Sequence, residues 1–247
     1  DPALVLQEAT MNSIEFIALH CETGPTSDIR VRQAMALATD KNELIMAAYR
    51  GKATPAHSFL GSVMQNLIDV DPDMNPENAR LLMSEAGYSD GVDLTMICTG
   101  TRHQLIAQVL QAQWKKIGIR LDIQPLESSS LNERIKSGDF QVYLSSSNSS
   151  NDEPLEFLEE CASQFGVGNR TRFSDTQYDE LYTVITSTLE EPTRGNAIEE
   201  MQRIIADKVP FIPLAYPIDA QGIKKSVGGL NLNIGRETIW YNIYKIE

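Results

Sequence analysis

The side chains with the most chemistry to offer are few: His20, His57 and His103; Cys21, Cys98 and Cys161; and the adjacent carboxylates Glu159-Glu160, Glu190-Glu191 and Glu199-Glu200. Metal-assisted hydrolysis calls for two histidines one helical turn apart with a glutamate between them, and none of the three histidines sits in H-E-x-x-H. A serine hydrolase calls for a G-x-S-x-G elbow, which is missing. A phosphate cradle calls for a glycine-rich strand-to-helix turn, and Gly228-Gly229 lacks both the further glycines and that context. The cysteine spacing fits no zinc pattern, leaving one pair plus an orphan or three small buried hydrophobes. The carboxylate pairs fall on or beside expected helices, where acidic side chains face solvent. Catalysis, a metal and a cofactor therefore have no positive support, although a triad assembled from distant positions would leave no local mark.

One polar run has a position that suggests work. Residues 145–153 read Ser-Ser-Ser-Asn-Ser-Ser-Asn-Asp-Glu ahead of Pro154 and follow an apolar strand pattern at Phe140, Val142 and Leu144. By composition the run is a flexible surface loop. By position it follows the carboxyl end of a strand, where α/β folds place ligands.

The elements around it alternate. Asp28 caps a helix whose inner stripe is Val31, Ala34, Met35 and Ala38, and Asp40 with Glu43 opens a second helix that Gly51 ends. Residues 52–72 lose periodicity and read as a long surface connection. Asn75-Pro76 starts a third helix, residues 92–98 a strand, and Ile106, Leu110, Trp114 and Ile117 mark a long helix stopped by Gly118. A half-wet strand at Ile119, Leu121 and Ile123 follows, then a short helix at Leu131 and Ile135. Two amphipathic helices (178–189 and 193–207), a proline-hemmed strand from Pro210, a glycine-broken tail and a last strand over 238–246 complete the chain. Strand–helix–strand units of this kind predict an α/β fold, a sheet packed between helices.

Composition excludes other classes. With 247 residues and 42% hydrophobic content the chain has enough apolar material for a core. Lys+Arg 21 against Asp+Glu 34 gives a net charge of −13, a surface that repels nucleic-acid phosphates and anionic lipid. No apolar run approaches the roughly 20 residues of a membrane-spanning helix.

Several motifs together carry a resemblance. Ser27-Asp28-Ile29-Arg30-Val31-Arg32-Gln33-Ala34 followed by Ala38-Thr39-Asp40-Lys41 is similar to a D-x-R-V-R-Q-A…A-x-D-[KR] signature. Gly51-Lys52-Ala53-Thr54-Pro55-Ala56, the Pro76 to Tyr88 helix ending Glu85-Ala86-Gly87-Tyr88, the Gln111-Ala112-Gln113-Trp114…Ile117-Gly118-Ile119 step, the Ser137-Gly138-Asp139-Phe140 turn and the closing helix with Pro210-Phe211-Ile212-Pro213-Leu214 follow in order. The series resembles the extracellular solute-binding proteins of ABC importers, family 5, the dipeptide- and oligopeptide-binding components.

That resemblance implies a periplasmic-binding-protein type II-like lobe, a mixed sheet flanked by helices. It further implies that residues 1–247 are a single C-terminal lobe of a two-lobed protein, a fragment of a longer precursor. The compact core would run from about residue 28 to 216, with 1–23 and 217–247 as hinge segments toward the other lobe. Ligand would be held in extended form as the lobes close. The implied ligand-binding residues are Arg102, His103, Asn148, Ser150, Asn151 and Asp152. Arg102 would meet a peptide carboxylate, His103 beside it would hydrogen-bond ligand or face solvent, and the 145–153 loop would lie at the amine end. There the family's acidic residue is replaced by Ser150, which weakens the expectation of a free amino terminus. Trp114 belongs to the core stripe, and Trp240 and Tyr241 to the tail. Peptide ligand, importer permease partners, a monomer, an extracytoplasmic location and no cofactor follow from the family. A nickel, haem or sugar ligand, or an enzyme or sensor domain reusing the lobe, are the alternatives.

Overall fold

The computed structural model describes residues 4–10, 12–232, 238–239 and 243–246. In chain order the elements are β1 (Leu4–Thr10), β2 (Ser13–Leu19), α1 (Ile29–Leu37), α2 (Lys41–Tyr49), β3 (Ala53–Pro55), α3 (Pro76–Glu85), β4 (Val92–Cys98), α4 (Gly100–Lys115), β5 (Ile119–Pro125), α5 (Ser128–Ser137), β6 (Val142–Asn148), α6 (Leu155–Leu158), α7 (Thr176–Ser187), α8 (Thr193–Lys208) and β7 (Phe211–Lys224). Seven strands form one mixed sheet in the order β1-β7-β2-β6-β4-β5, with β3 also on β7. β4 is parallel to β5 and β6, whereas β2 runs antiparallel to β6 and β7.

The two-residue period of a strand sends alternate side chains to opposite faces, and β2 shows the result. Ile17 and Leu19 join one core with α1, α2, α3 and α4, while Ile14, Phe16 and Ala18 join a second with α5, α7 and α8. All seven residues of β2 are buried. The stretch before Thr23, expected as a hinge segment, thus supplies the strand between β6 and β7.

The signature motif has a packing reason. The Asp28 carboxylate accepts the Arg30 backbone N–H at 2.9 Å and caps α1, while Arg30 Nε donates to it at 3.0 Å. Arg32 is buried and donates to the carbonyls of Thr26, Ser27 and Lys208, tying α1 to the end of α8. Trp114 is fully buried in its expected place, its Nε1 donating to Met35 O at 3.2 Å and Thr39 Oγ1 at 3.1 Å. The turns around β4 and β5 need glycine. Gly91 has φ +86°, and a Cβ there would lie 2.5 Å from the Gly118 carbonyl oxygen.

Several expectations are corrected. α2 ends on Arg50 in the left-handed region (φ 52°), one residue before Gly51. Residues 52–72 are no surface strap: Ala56, Ser58, Phe59 and Leu60 are buried, and Phe59 stacks on Phe211 at 3.9 Å. Four residues of the polar run, Ser145 to Asn148, continue β6. The expected last strand is described only as Thr238–Ile239 and Tyr244–Lys245, and Trp240 and Tyr241 lie outside the described residues. Glu159-Glu160 is not a solvated pair. Glu160 is pushed from an ordinary 4.5 to about 7, by burial first, with Arg170 opposing and Glu159 adding to the rise.

Two outcomes follow. Trp114→Phe removes the indole N–H that bonds Met35 O and Thr39 Oγ1 and leaves part of the indole's volume empty in the core, and is expected to lower stability by about 1–3 kcal/mol in urea unfolding followed by circular dichroism. Glu160 holds its proton longer in the folded than in the unfolded chain. Its contribution is therefore full below the unfolded carboxyl's range and declines as pH rises from about 4.5 to about 7. Glu160→Gln should match the parent near pH 4 and exceed its urea midpoint increasingly up to about pH 8.

Candidate functional site

β4 and β6 are parallel neighbours, so their carboxyl ends open on the same side of the sheet. Arg102 and His103 stand in the first turn of α4, which β4 feeds directly. β6 runs on past β4 and presents Ser146 and Asn148 opposite Glu15 and Ser13 of β2. By alternation these four lie on the α2/α4 face, one step beyond the apolar residues Leu144 and Ile17.

Glu15 is the centre of this cluster. Its side chain is 4% exposed, and its Oε2 lies 2.9 Å from His103 Nε2. Oε1 stands 4.0 Å from the Arg102 guanidinium. Removing a carboxylate from water is costly unless a cation or strong donors meet it, and His103 and Arg102 do so here. Tyr49, at the last position of α2, completes the group: its ring lies 5.0 Å under the Arg102 guanidinium carbon. Burial, then the nearby Glu15 charge, raises the Tyr49 hydroxyl far above its ordinary range, with Arg102 opposing. His103 Nδ1 and Ser13 Oγ are buried with no hydrogen-bond partner. Arg102 itself remains 55% exposed, a guanidinium held from behind by a carboxylate and an aromatic face and open in front. A recess of about 200 Å³ lies beside it, between Tyr49, Arg50, Lys52, Pro217 and Ile218.

The loop after β6 is held, not loose. The Ser149 backbone N–H donates to Asn12 O at 3.0 Å, and Asn12 Nδ2 donates to Asn151 O. The Asn151 side chain accepts the Glu153 backbone N–H at 2.9 Å, closing a turn on itself. Asp152 is gripped by Gln65 twice, through its carbonyl from the Gln65 backbone N–H and through its carboxylate from Gln65 Nε2, both at 3.0 Å. Glu153 pairs with the buried Arg194. The residues expected from sequence thus divide into two groups. Arg102 and His103 join Glu15 and Tyr49, whereas Asn148, Ser150, Asn151 and Asp152 are exposed along the strand end and loop beside them. Asp152, the one acid of the loop set, is already engaged by Gln65.

Glu15 and Tyr49 were not anticipated. Glu15 had a signal, a lone charge inside the apolar alternation Ile14-Glu15-Phe16-Ile17, which only a buried partner can compensate. Tyr49 had none, since an aromatic residue ending a helix reads as ordinary core. Among the described residues no three or more His, Cys, Asp or Glu side chains gather as a metal site, and none of the helices is long and apolar enough to cross a membrane. Cys98 and Cys161 are buried and Cys21 is half-buried, all three as free thiols.

Comparison with known proteins places the fold. The profile of the family described as bacterial extracellular solute-binding proteins, family 5 Middle, matches residues 1–169. Di/tripeptide-binding protein 2 of Pseudomonas aeruginosa is 30% identical over 247 residues, covering 94% of this chain and 46% of that protein. Heme-binding protein A of Haemophilus influenzae is 26% identical over 239 residues, covering 93% and 44%. The solved structure of HbpA2 from Haemophilus parasuis superposes with a TM-score of 0.88 at 26% identity, covering 99% of this chain and 50% of that one. The chain spans about half the length of the curated relatives it matches. The mixed sheet flanked by helices is the type II periplasmic-binding fold of these relatives, and the chain belongs to the family 5 extracellular solute-binding proteins, a family of binding proteins and not of enzymes.

Proposed function

We propose that this chain is one lobe of the substrate-binding component of an ABC importer, and that it forms one wall of a cleft that captures peptides outside the cytoplasm and passes them to membrane permease subunits. The observation that carries this reading is Arg102. A half-exposed guanidinium at the carboxyl end of β4, fixed by Tyr49 behind it and Glu15 beside it, is suited to a ligand carboxylate, because charge-assisted bonds from a pre-oriented donor fork are strong and directional. A relative named for di- and tripeptides supports the same ligand class. The protein acts as a monomer, with a second lobe closing the site.

The loop over 148–152 suits a peptide backbone better than a charged terminus. Its exposed groups are Asn148, Ser150 and Asn151, uncharged donors and acceptors, and its only acid is paired with Gln65. His103, bonded to Glu15 and 14% exposed, is a positioning residue in this reading. A second reading, a haem-like or other non-peptide carboxylate ligand, is favoured by the haem-binding relative and by the same uncharged loop.

Calorimetry on the full-length protein separates them. Mixed tri- to pentapeptides should bind, and Arg102→Ala should weaken them by about 10- to 100-fold, as loss of a charged hydrogen bond does. Glu15→Gln, which leaves Arg102 in place but unpinned, should weaken them less. Peptide silence together with haem binding would replace the peptide reading with the second one. Peptide affinity unchanged in Arg102→Ala would remove Arg102 from the site.

A further inference from the structure

A further well-walled recess lies away from this site. It lies at the opposite end of α2, with a volume of about 380 Å³, within the size range of small-molecule pockets. Its floor is apolar, built from Ala36 of α1, Ile205 and Val209 at the end of α8, Phe211 and Pro213 of β7, and Val70 of the connection. Its rim carries four carboxylates, Asp40, Asp69, Asp71 and Asp73, against two basic groups, Lys41 and His57.

The rim charges are not all free. Asp40 caps α2, accepting the backbone N–H groups of Asn42 at 3.0 Å and Glu43 at 3.1 Å. Asp71 is paired with Lys41, whose side chain is 9% exposed and whose ammonium also donates to Ala56 O at 2.7 Å. His57 Nδ1 stands 3.7 Å from the Asp69 carboxylate, the one basic group near the outer rim. Lys41 is thereby consumed, and Asp69 and Asp73 leave an excess of negative charge at the mouth of the recess, on a chain already at −13.

The connection that walls the recess is fixed in place. Gln202 of α8, fully buried, accepts from Ser58 Oγ at 2.9 Å and from the Ile68 backbone N–H at 3.1 Å, and donates to Asn66 O at 2.7 Å. One side chain therefore pins both the outgoing and the returning legs of the connection to α8. Phe59, stacked on Phe211, pins the outgoing leg a second time.

We infer that this recess is a second ligand site, separate from the Arg102 wall, and that it takes a small organic cation: a primary amine with an apolar body, its ammonium between Asp69 and Asp73 and its hydrocarbon part on the floor of Ile205, Val209 and Phe211. Anions are opposed by the rim and inorganic cations gain nothing from the floor, so charge and surface complementarity together select an amphipathic amine. The inference does not depend on the peptide reading of the other site.

Phenethylamine is the probe, titrated into the full-length protein by calorimetry, with phenylacetate of similar shape and opposite charge as the control. Saturable one-to-one binding of the amine and none of phenylacetate is expected. The exposed pair of changes Asp69→Asn and Asp73→Asn should weaken it by about tenfold or more. Ala206→Phe, which fills the recess from α8, should abolish it, with circular dichroism melting to verify the fold of both variants. Peptide binding should be unaffected by all three changes. No saturable binding of the amine, equal binding of phenylacetate, insensitivity to the Asp69/Asp73 change, or displacement of the amine by peptide would each overturn the inference.

Discussion

A carboxylate in a strand with both faces buried constrains everything around it. Glu15 sits in β2 between β6 and β7, where desolvation would be prohibitive without compensation. The compensation comes from the first turn of α4, so α4 must start where β4 delivers it, and the register of β4, β6 and β2 must bring that turn over Glu15. His103 satisfies the carboxylate directly. Arg102, one residue earlier, is drawn to the same charge but keeps its outer face in solvent, with Tyr49 closing the group from α2. One arrangement thus satisfies a buried carboxylate and leaves a guanidinium facing solvent.

The connection between β3 and α3 does more than join elements. Its outgoing leg buries Phe59 in the core under β2 and β7, its tip presents Gln65 to Asp152, and its return leg passes Gln202 on the way to α3. The polar loop after β6 is therefore held by a segment more than 80 residues away in sequence, Gln65 to Asp152 being 87 apart. A serine- and asparagine-rich loop that would sample many conformations alone is given one backbone course by Asn12, Gln65 and Arg194.

Charge is distributed with the same economy. The buried cations Arg32, Lys41 and Arg194 each meet backbone carbonyls or a carboxylate, whereas Arg102 alone among the groups of the β4–β6 wall is both anchored and open. The acidic surplus of the chain collects elsewhere, including the rim of the recess at the amino end of α2.

Helix caps at Asp28, Asp40 and Asn75, the strands at β4 and β5 and the stripe containing Trp114 were all legible in the sequence, because capping and amphipathic period act over a few residues. The sequence also set Arg102, His103 and the 145–153 run after strands, and the structure has them at the carboxyl ends of β4 and β6. The family signature, too, is a local string whose arginines fix a helix end. Only the tertiary structure decided that residues 13–19 run through the middle of the sheet, that Glu15 meets His103 across 88 residues, that Asn12 holds Asn151 across 139 and that Gln202 holds Ser58 across 144. Those contacts have no period to read: each is selected by the cost of leaving a buried polar group without its partner, which exists only once the chain has folded.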